Sequence, residues 1–378
     1  MPRAFAFLPF VFLTVACWGN YGPLMHHGNL AMGGDALRPF VGVGFAYFVI
    51  AVLVPALVLK LRGEKGNWSR DGIILSLVAG AVGALGALGV IVAFSAGAKP
   101  VYVMPLVFGG APVINTLVTM ALGKSFEPIR PIFFAGIAMA ALGGAGVLYF
   151  RPGAAPAKPA AAIEATEVRM QADAANSSDK PQIAVQTPVT GASPSKPLNF
   201  PLVVAAVIGA VLSWGSYGPV LHKGQMKMGG SRLRPFLCVG VAYFVIAVAM
   251  PLLLITLLKT NGTWTTAGLW WSLAGGAAGA IGALGIIYAF NFGGKPIFVM
   301  PLIFGLAPIL NTVTTLTENQ SWGRIDLKFV IALFITILGA VTVLVTAPKP
   351  AAKPPTGGGN EGGTSKPDGM DSAKLASS

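Results

Sequence analysis

The chain contains the same sequence twice. The segment WGNYGP at 18–23 recurs as WGSYGP at 214–219. From there to residues 126 and 322 the two copies align at a constant offset of 196 residues without a gap, and about half of the positions are identical. Each copy is therefore one structural unit, and whatever the first copy folds into, the second must fold into nearly the same.

Each copy holds five apolar runs long enough to cross a bilayer, which takes roughly 20 residues for ~30 Å of hydrocarbon. With 54% hydrophobic and only 10% charged residues, and a mean hydropathy of +0.72, the chain could not cover its surface with polar groups in water. We therefore predict an all-α polytopic membrane protein with ten transmembrane helices, near 5–25, 39–60, 72–95, 100–122, 131–150, 201–221, 235–258, 267–290, 296–317 and 328–346.

The helical repeats are predicted to occupy 1–150 and 200–347. Between them, 151–199 is rich in Ala, Pro, Ser and Lys, and the tail at 348–378 has a similar composition. Neither segment has the hydrophobic periodicity that a packed element requires, so both are predicted to be disordered.

Loop charges indicate that the two repeats insert in opposite orientations. In the first copy the loop between helices 2 and 3 is basic, whereas in the second copy the basic loop is the one between helices 6 and 7. Because basic loops favour the cytoplasm and an odd number of spans inverts the second copy, we predict two inverted five-helix repeats in the plasma membrane, with both termini cytoplasmic. The alternative is parallel repeats with an even number of spans, which requires losing one helix from each copy.

The net charge of +13 does not indicate a nucleic-acid partner, because the basic residues are scattered over loops and tails rather than forming one face. Cys17 and Cys238 occupy non-equivalent positions of the repeat and suggest neither a disulfide nor a metal site. The sequence shows no nucleotide motif, no metal-ligand spacing and no paired catalytic carboxylates. It predicts no enzyme activity and no cofactor; the expected partners are a small-molecule solute and the lipid bilayer, and a homodimer is left open.

Helices 4 and 9 carry the richest motif, KPxxxMPxxFGxAPxxNT, at 99–116 and 295–312. Its polar positions form one stripe at helical periodicity, and its prolines free backbone carbonyls that a bilayer tolerates only beside partners or a cavity. The stripe therefore indicates either a solute path or a kinked, packed helix. Lys99 and Lys295 either meet an anionic solute at the helix N-terminus or extend to the lipid headgroups.

Helices 1 and 6 place aromatic and polar side chains just before Gly22-Pro23 and Gly218-Pro219, where a helix break is predicted. Aromatic rings beside amides or hydroxyls suit a sugar or another polar metabolite, although the tryptophans there are favoured as interfacial or packing residues. His26 and His222 follow and are predicted to be solvated loop residues rather than proton carriers. Glycines at three-residue steps in helices 3 and 8 predict a close-packing surface.

The candidate solute-binding residues share polar or aromatic character and positions on these helices. They are Asn20, Tyr21, Tyr47, Lys99, Tyr102, Asn115, Thr116, Ser216, Tyr217, Tyr243, Tyr288, Asn291, Lys295, Asn311 and Thr312. No Asp or Glu lies in the middle of any predicted span, which favours neutral or anionic solutes over cations.

Two repeated features resemble the drug/metabolite transporter superfamily: the Trp-Gly start of helices 1 and 6, and the junction AFxxGxKPxxxxP at 93–105 and 289–301. The opening is similar to that of EamA-like permeases and of the glucose/ribose and rhamnose porter branches. The resemblance implies ten helices in two inverted repeats around a central cavity, lined by helices 1, 3, 4, 6, 8 and 9, that opens alternately to either side. It implies a secondary transporter of a small neutral or anionic metabolite, a sugar first; export of amino acids or drugs, and a membrane-embedded sensor or scaffold, remain alternatives.

Overall fold

The computed structural model describes residues 5–122, 129–150, 197–292 and 296–346, without the side chains of 290, 291, 296–298, 300 and 301. Across these residues the chain is helical and contains no β-strand, which confirms the all-helical class. The predicted linker and tail lie outside the described residues, except for 197–199, which lead into a helix. Counting a helix with an internal π turn as one, the helices are α1 Leu8–Ala31, α2 Leu37–Arg62, α3 Arg70–Ser95, α4 Pro100–Leu122, α5 Pro131–Tyr149, α6 Phe200–Lys227, α7 Leu233–Leu258, α8 Thr266–Asn291, α9 Pro296–Glu318 and α10 Leu327–Val345.

Eight of the described helices are long and apolar enough to cross a membrane, by length and composition. The exceptions are α1, whose second half carries Asn20, His26, His27 and Asn29, and α9, of which only 302–318 counts as a shorter apolar helix. The outer faces of the spans are apolar: Leu61, Leu142 and Leu257 are each more than half exposed. Leucine exposed on many helices at once is costly in water and ordinary in lipid. The fold is that of a helical, multi-pass membrane protein.

The predicted break after Gly22-Pro23 and Gly218-Pro219 is wrong. Helix α1 continues through Pro23 to Ala31, and α6 continues through Pro219 to Lys227. A proline inside a helix removes one donor and adds a kink, and the helix survives where neighbouring helices pack around it. Pro23 is buried in this way.

Helices α2 and α7 each contain a π turn, at Phe48–Leu53 and Val245–Ala249, that was not predicted from the sequence. A proline follows each turn, at Pro55 and Pro251, which are equivalent positions of the repeat. Because proline has no N–H, the carbonyl four residues before it loses its helical partner, and wider hydrogen bonding becomes locally favourable. The proline that follows each π turn is a local signal that apolar periodicity does not reveal.

The two halves pack mainly on each other. Helix α3 lies along α6, α1 lies along α8, and α5 lies along α10. The indole of Trp18 donates to the carbonyl of Gly279 at 3.2 Å, and the indole of Trp214 donates to that of Gly83 at 3.0 Å. Donor and acceptor of one bond are the repeat equivalents of those of the other, so each half contacts the other through the equivalent surface.

The connecting loops meet in the same reciprocal way. Arg38 donates to the carbonyl of Thr260 at 3.2 Å, and its equivalent Arg234 donates to the carbonyl of Glu64 at 3.2 Å. Both guanidinium groups are largely buried, each beside a carboxylate, that of Asp35 or of Glu64. Each also lies 5.8 Å from a tryptophan ring, that of Trp264 for Arg38 and that of Trp68 for Arg234.

These contacts define two ends of the bundle. At the basic end the loop at 63–69 meets the loop at 228–232, where the backbone N–H of Asn67 donates to the carbonyl of Met228. At the linker end the loop at 32–36 meets the loop at 259–265. The backbone N–H of Asn199, just before α6, donates to the carbonyl of Ala96, just after α3. The sequence indicates the charge of these loops, and the structure supplies their pairing.

Candidate functional site: an aromatic cluster between the halves

Tyr47 and Tyr243 are repeat-equivalent residues that stack on each other at the centre of the interface. Their ring centroids are 3.7 Å apart and the planes differ by 2°. Both rings are buried. Tyr47 directly precedes the π turn of α2, and Tyr243 lies just before that of α7. When a residue contacts its own equivalent, the two copies are arranged about the point of contact as in an isologous interface.

The rings of a second equivalent pair, Phe108 of α4 and Phe304 of α9, lie 6.0 Å apart. The ring of Phe108 is 6.4 Å from Trp18 and 6.3 Å from Trp214. The ring of Tyr21 meets Trp214 edge-on at 5.8 Å. We call this group, together with Tyr217 and the tyrosine stack, the aromatic cluster: Trp18, Tyr21, Tyr47, Phe108, Trp214, Tyr217, Tyr243 and Phe304.

Glycines of α3 and α8 make room for these rings. A Cβ on Gly83 would lie 3.1 Å from the Tyr243 ring and 3.2 Å from the Tyr217 ring, and one on Gly279 would lie 3.0 Å from the Tyr47 hydroxyl. A Cβ on Gly86 or Gly282 would overlap a tryptophan ring. The glycine row does form a close-packing surface, as its spacing indicates, and the side chains it admits are those of the aromatic cluster.

The aromatic cluster offers hydroxyl groups and ring faces without charge. The Tyr21 hydroxyl is buried and makes no hydrogen bond with any described residue. Trp18, Trp214 and Tyr217 are only partly buried, so a molecule can reach their edges. A neutral solute with hydroxyl or carbonyl groups suits such a surface, whereas a desolvated ion there would have no partner of opposite charge.

Two of the other predicted residues lie where α4 and α9 pass the aromatic cluster. Asn311 is fully buried, and its Nδ2 donates to the carbonyl of Pro100 at 2.9 Å. Asn115, the equivalent residue, is half-buried, and its Nδ2 lies 2.8 Å from where a Cβ on Gly218 would stand. Tyr102 is buried on α4. The polar stripe of helices 4 and 9 thus contains interhelical contacts rather than a uniform solute path.

Several predicted residues make hydrogen bonds that do not involve the aromatic cluster. Thr116, Thr312 and Ser216 donate to carbonyls of their own helices. Asn20 donates to Ala16 and accepts a hydrogen bond from Thr314.

Two further candidates are exposed, and two have side chains that the structure does not describe. Tyr288 is exposed at the end of α8 and stacks on Phe10, with ring centroids 5.7 Å apart. Lys99 is exposed between α3 and α4. The side chains of Asn291 and Lys295 lie outside the described residues.

His26 differs from its prediction as a loop residue. It lies inside α1, packs edge-on against Phe94 at 5.3 Å, and its Nδ1 is buried without a hydrogen-bond partner among the described residues. Its neighbour His27 contacts Glu318 at 3.2 Å. His222 is exposed near the end of α6. The predicted helix ended at residue 25, whereas α1 continues to Ala31, and this explains the difference.

Phe108 and Phe304 were not among the predicted site residues, and Trp18 and Trp214 were favoured as anchors or packing residues. The indole N–H of each tryptophan donates to the opposite half, as expected of the packing alternative. A signal was present, because all four residues recur at the offset of 196, but the repeat alone does not say which of its many identical positions face each other.

No family model matches this chain, and no curated protein matches it. Among solved structures, one described only as "Crystal structure of protein" is similar, with a TM-score of 0.51 and 17% identity over 91% of this chain and 98% of the other. At that identity the similarity shows a shared fold and nothing about activity.

Proposed function

We propose that this protein is a secondary transporter of the drug/metabolite type, which carries a small neutral solute, a sugar first, through alternating access between two inverted five-helix repeats. The observation that carries the proposal is the aromatic cluster: equivalent residues of the two halves meet one another around an uncharged set of hydroxyls and rings in the middle of apolar helices. Solute sites in transporters with inverted repeats lie at such a repeat interface, near the bilayer midplane.

The loop pairing supports the inverted arrangement. If the halves were parallel, the loop after α6 would lie at the end opposite to the loop after α2. The loops at 63–69 and 228–232 instead share the basic end, where Ser69 donates to the carbonyl of Lys227 at 2.8 Å and Lys227 lies 3.6 Å from Asp71. Because basic loops favour the cytoplasm, this end is the cytoplasmic one in our proposal.

The chemistry of the aromatic cluster supports a neutral solute. Aromatic faces bind the apolar faces of a sugar ring, and the Tyr21 hydroxyl is free to bond one of its hydroxyl groups. Charged side chains of the described helices lie towards their ends rather than beside the stacked tyrosines. A neutral metabolite therefore fits better than the anionic one that the sequence also allowed.

The test is counterflow in liposomes that contain the purified protein, with labelled glucose, ribose and rhamnose, and with an amino acid and a sugar phosphate as comparators. We expect one of the neutral sugars to accumulate above protein-free liposomes and the sugar phosphate not to. Equal movement of all solutes, or of none, would reject the proposal. Removal of 160–195 and 350–378 should leave counterflow intact, whereas a scaffold that works through those segments would lose its function.

Tyr21→Phe is the sharpest variant, because it removes a hydroxyl that makes no bond with the described protein. We expect unchanged folding and a half-saturation concentration raised roughly two- to tenfold, the effect of one lost hydrogen bond. Tyr288→Phe is the matched control, since that hydroxyl belongs to an exposed ring outside the aromatic cluster. Equal behaviour of the two variants would place the solute elsewhere.

A further inference from the structure

The two halves share their sequence but differ in burial along α1 and α6. In the second half of α1, Tyr21, Gly22, Pro23, Met25 and Asn29 are all buried. The equivalent residues of α6 are all only partly buried: Tyr217, Gly218, Pro219, Leu221 and Gln225. The linker end of the bundle is therefore closed around α1, while the described residues of the basic end pack less tightly around α6.

Helices α9 and α4 show the same difference independently. Asn311, Thr315 and Leu316 of α9 are buried at the linker end. Of their equivalents in α4, Asn115 and Met120 are partly buried and Thr119 is exposed. Two separate helix pairs thus show the same difference in burial between the linker end and the basic end.

Polar contacts hold the linker end closed. The amide of Asn311 donates to the carbonyl of Pro100 at 2.9 Å, which ties α9 to the first turn of α4. The amide of Asn29 donates to the hydroxyl of Ser95 at 2.8 Å, which ties α1 to α3. Both bonds lie at the linker end, where α3 ends at Ser95 and α4 begins at Pro100.

We propose that Asn311 is the latch that closes the linker end and that Asn115 is its counterpart, which closes the basic end on the carbonyl of Pro296 when the linker end opens. The inference rests on the proposed transport function and assigns positioning roles within it. Asn115 and Pro296 are the repeat equivalents of Asn311 and Pro100, so the contact made at one end can form at the other.

The side-chain amide of Asn311 does not make all of its hydrogen bonds in the closed state. The Oδ1 atom of Asn311 is buried with no hydrogen-bond partner among the described residues. It faces Gly22, on which a Cβ would lie 2.6 Å from that oxygen and 2.5 Å from Met104 Cγ. A buried amide oxygen without a partner costs free energy, which keeps the closed end from being locked. Gly22 allows the close approach, and any larger residue there would oppose closure.

Cysteine alkylation tests the latch without any knowledge of the solute. In a background with Cys17 and Cys238 replaced by alanine, Thr315→Cys reports the linker end and Thr119→Cys reports the basic end. Thr315 is a suitable probe because its hydroxyl makes no hydrogen bond with the described residues. With a soluble maleimide on the purified protein, we expect the cysteine at 315 to react roughly tenfold more slowly than the one at 119, because it must wait for opening.

Asn311→Ala should speed alkylation at 315 roughly two- to tenfold, the population shift expected from one lost hydrogen bond. Asn115→Ala is the matched control and should leave alkylation at 315 unchanged or slower. Gly22→Ala opens the same end without touching the amide and should also speed alkylation at 315, whereas Gly218→Ala should not. Monodisperse elution on size exclusion excludes variants that are merely misfolded.

The inference is overturned if Asn311→Ala and Gly22→Ala both leave alkylation at 315 unchanged, or if Asn115→Ala accelerates it equally. These results are independent of counterflow. Failed counterflow with the expected alkylation pattern would reject transport and keep a two-ended conformational switch, while successful counterflow with the wrong pattern would keep transport and reject the latch.

Discussion

A glycine at position 282 is required for the packing of α1 on α8. A Cβ at this position would overlap the ring of Trp18, whose indole donates to the carbonyl of Gly279 one turn earlier. Gly86 has the same relation to Trp214, whose indole donates to Gly83. We expect Gly282→Ala and Gly86→Ala to destabilise the protein to a similar extent, because each displaces one interlocking tryptophan.

The size of the effect follows from two terms. Forcing an extra methyl group into a packed contact costs about 1–3 kcal/mol. Displacing the ring also lengthens or breaks the indole hydrogen bond, which is worth about 0.5–1.5 kcal/mol. Together they amount to roughly 1.5–4.5 kcal/mol, which at ~2 °C per kcal/mol lowers the apparent Tm by roughly 3–9 °C.

Gly209 provides the control, since a Cβ there meets nothing within 4 Å. Gly209→Ala should be neutral or stabilising by up to ~1 kcal/mol, because alanine loses less backbone entropy in a helix. The assay measures the fraction of monodisperse protein that remains after heating in detergent at a fixed rate. This measurement does not require unfolding to be reversible. If Gly282→Ala and Gly86→Ala retain the wild-type Tm, the tryptophan contacts do not hold the halves together.

Two further predictions concern the loops. Lys259 has φ of 47°, where its repeat equivalent Gly63 has φ of 66°, so Lys259→Gly should raise the apparent Tm by relieving about 1 kcal/mol of backbone strain; an unchanged Tm in the same heating assay would contradict this. Arg38→Met should destabilise by roughly 3–5 kcal/mol because it leaves the buried carboxylate of Asp35 unpaired, and adding Asp35→Asn should recover part of the loss; a double variant no better than Arg38→Met would show that the carboxylate is not the cause.

The predicted helices correspond closely to the observed ones where apolar periodicity and end signals agree. Helix α4 occupies 100–122 as predicted, because Pro100 starts it and the apolar run sustains it. Helices α1 and α6 extend beyond their predicted ends at 25 and 221, where the apolar runs stop, and packing around Pro23 preserves α1 through the break predicted at Gly22-Pro23. Such packing is a property of neighbouring helices, so the local sequence does not contain it.

The candidate site was predicted in part. Tyr21, Tyr47, Tyr217 and Tyr243 were named from their residue type and repetition, and the structure brings them together. Tyr288 was named on the same grounds and lies apart from them. The difference between these tyrosines is their position relative to the opposite half, which depends on contacts between residues far apart in the chain.

The sequence by itself determined that the chain forms apolar helices and that its halves repeat, because hydrophobic periodicity and internal identity are local properties that can be read along the chain. Only the tertiary structure decided which identical residues face each other and which end is closed. Asn115 and Asn311 lie in similar sequences, APVINT and APILNT, yet one is half-buried and the other is fully buried. Two nearly identical halves that pack together can differ in conformation, and this difference is set by the energy of their mutual packing rather than by either sequence alone.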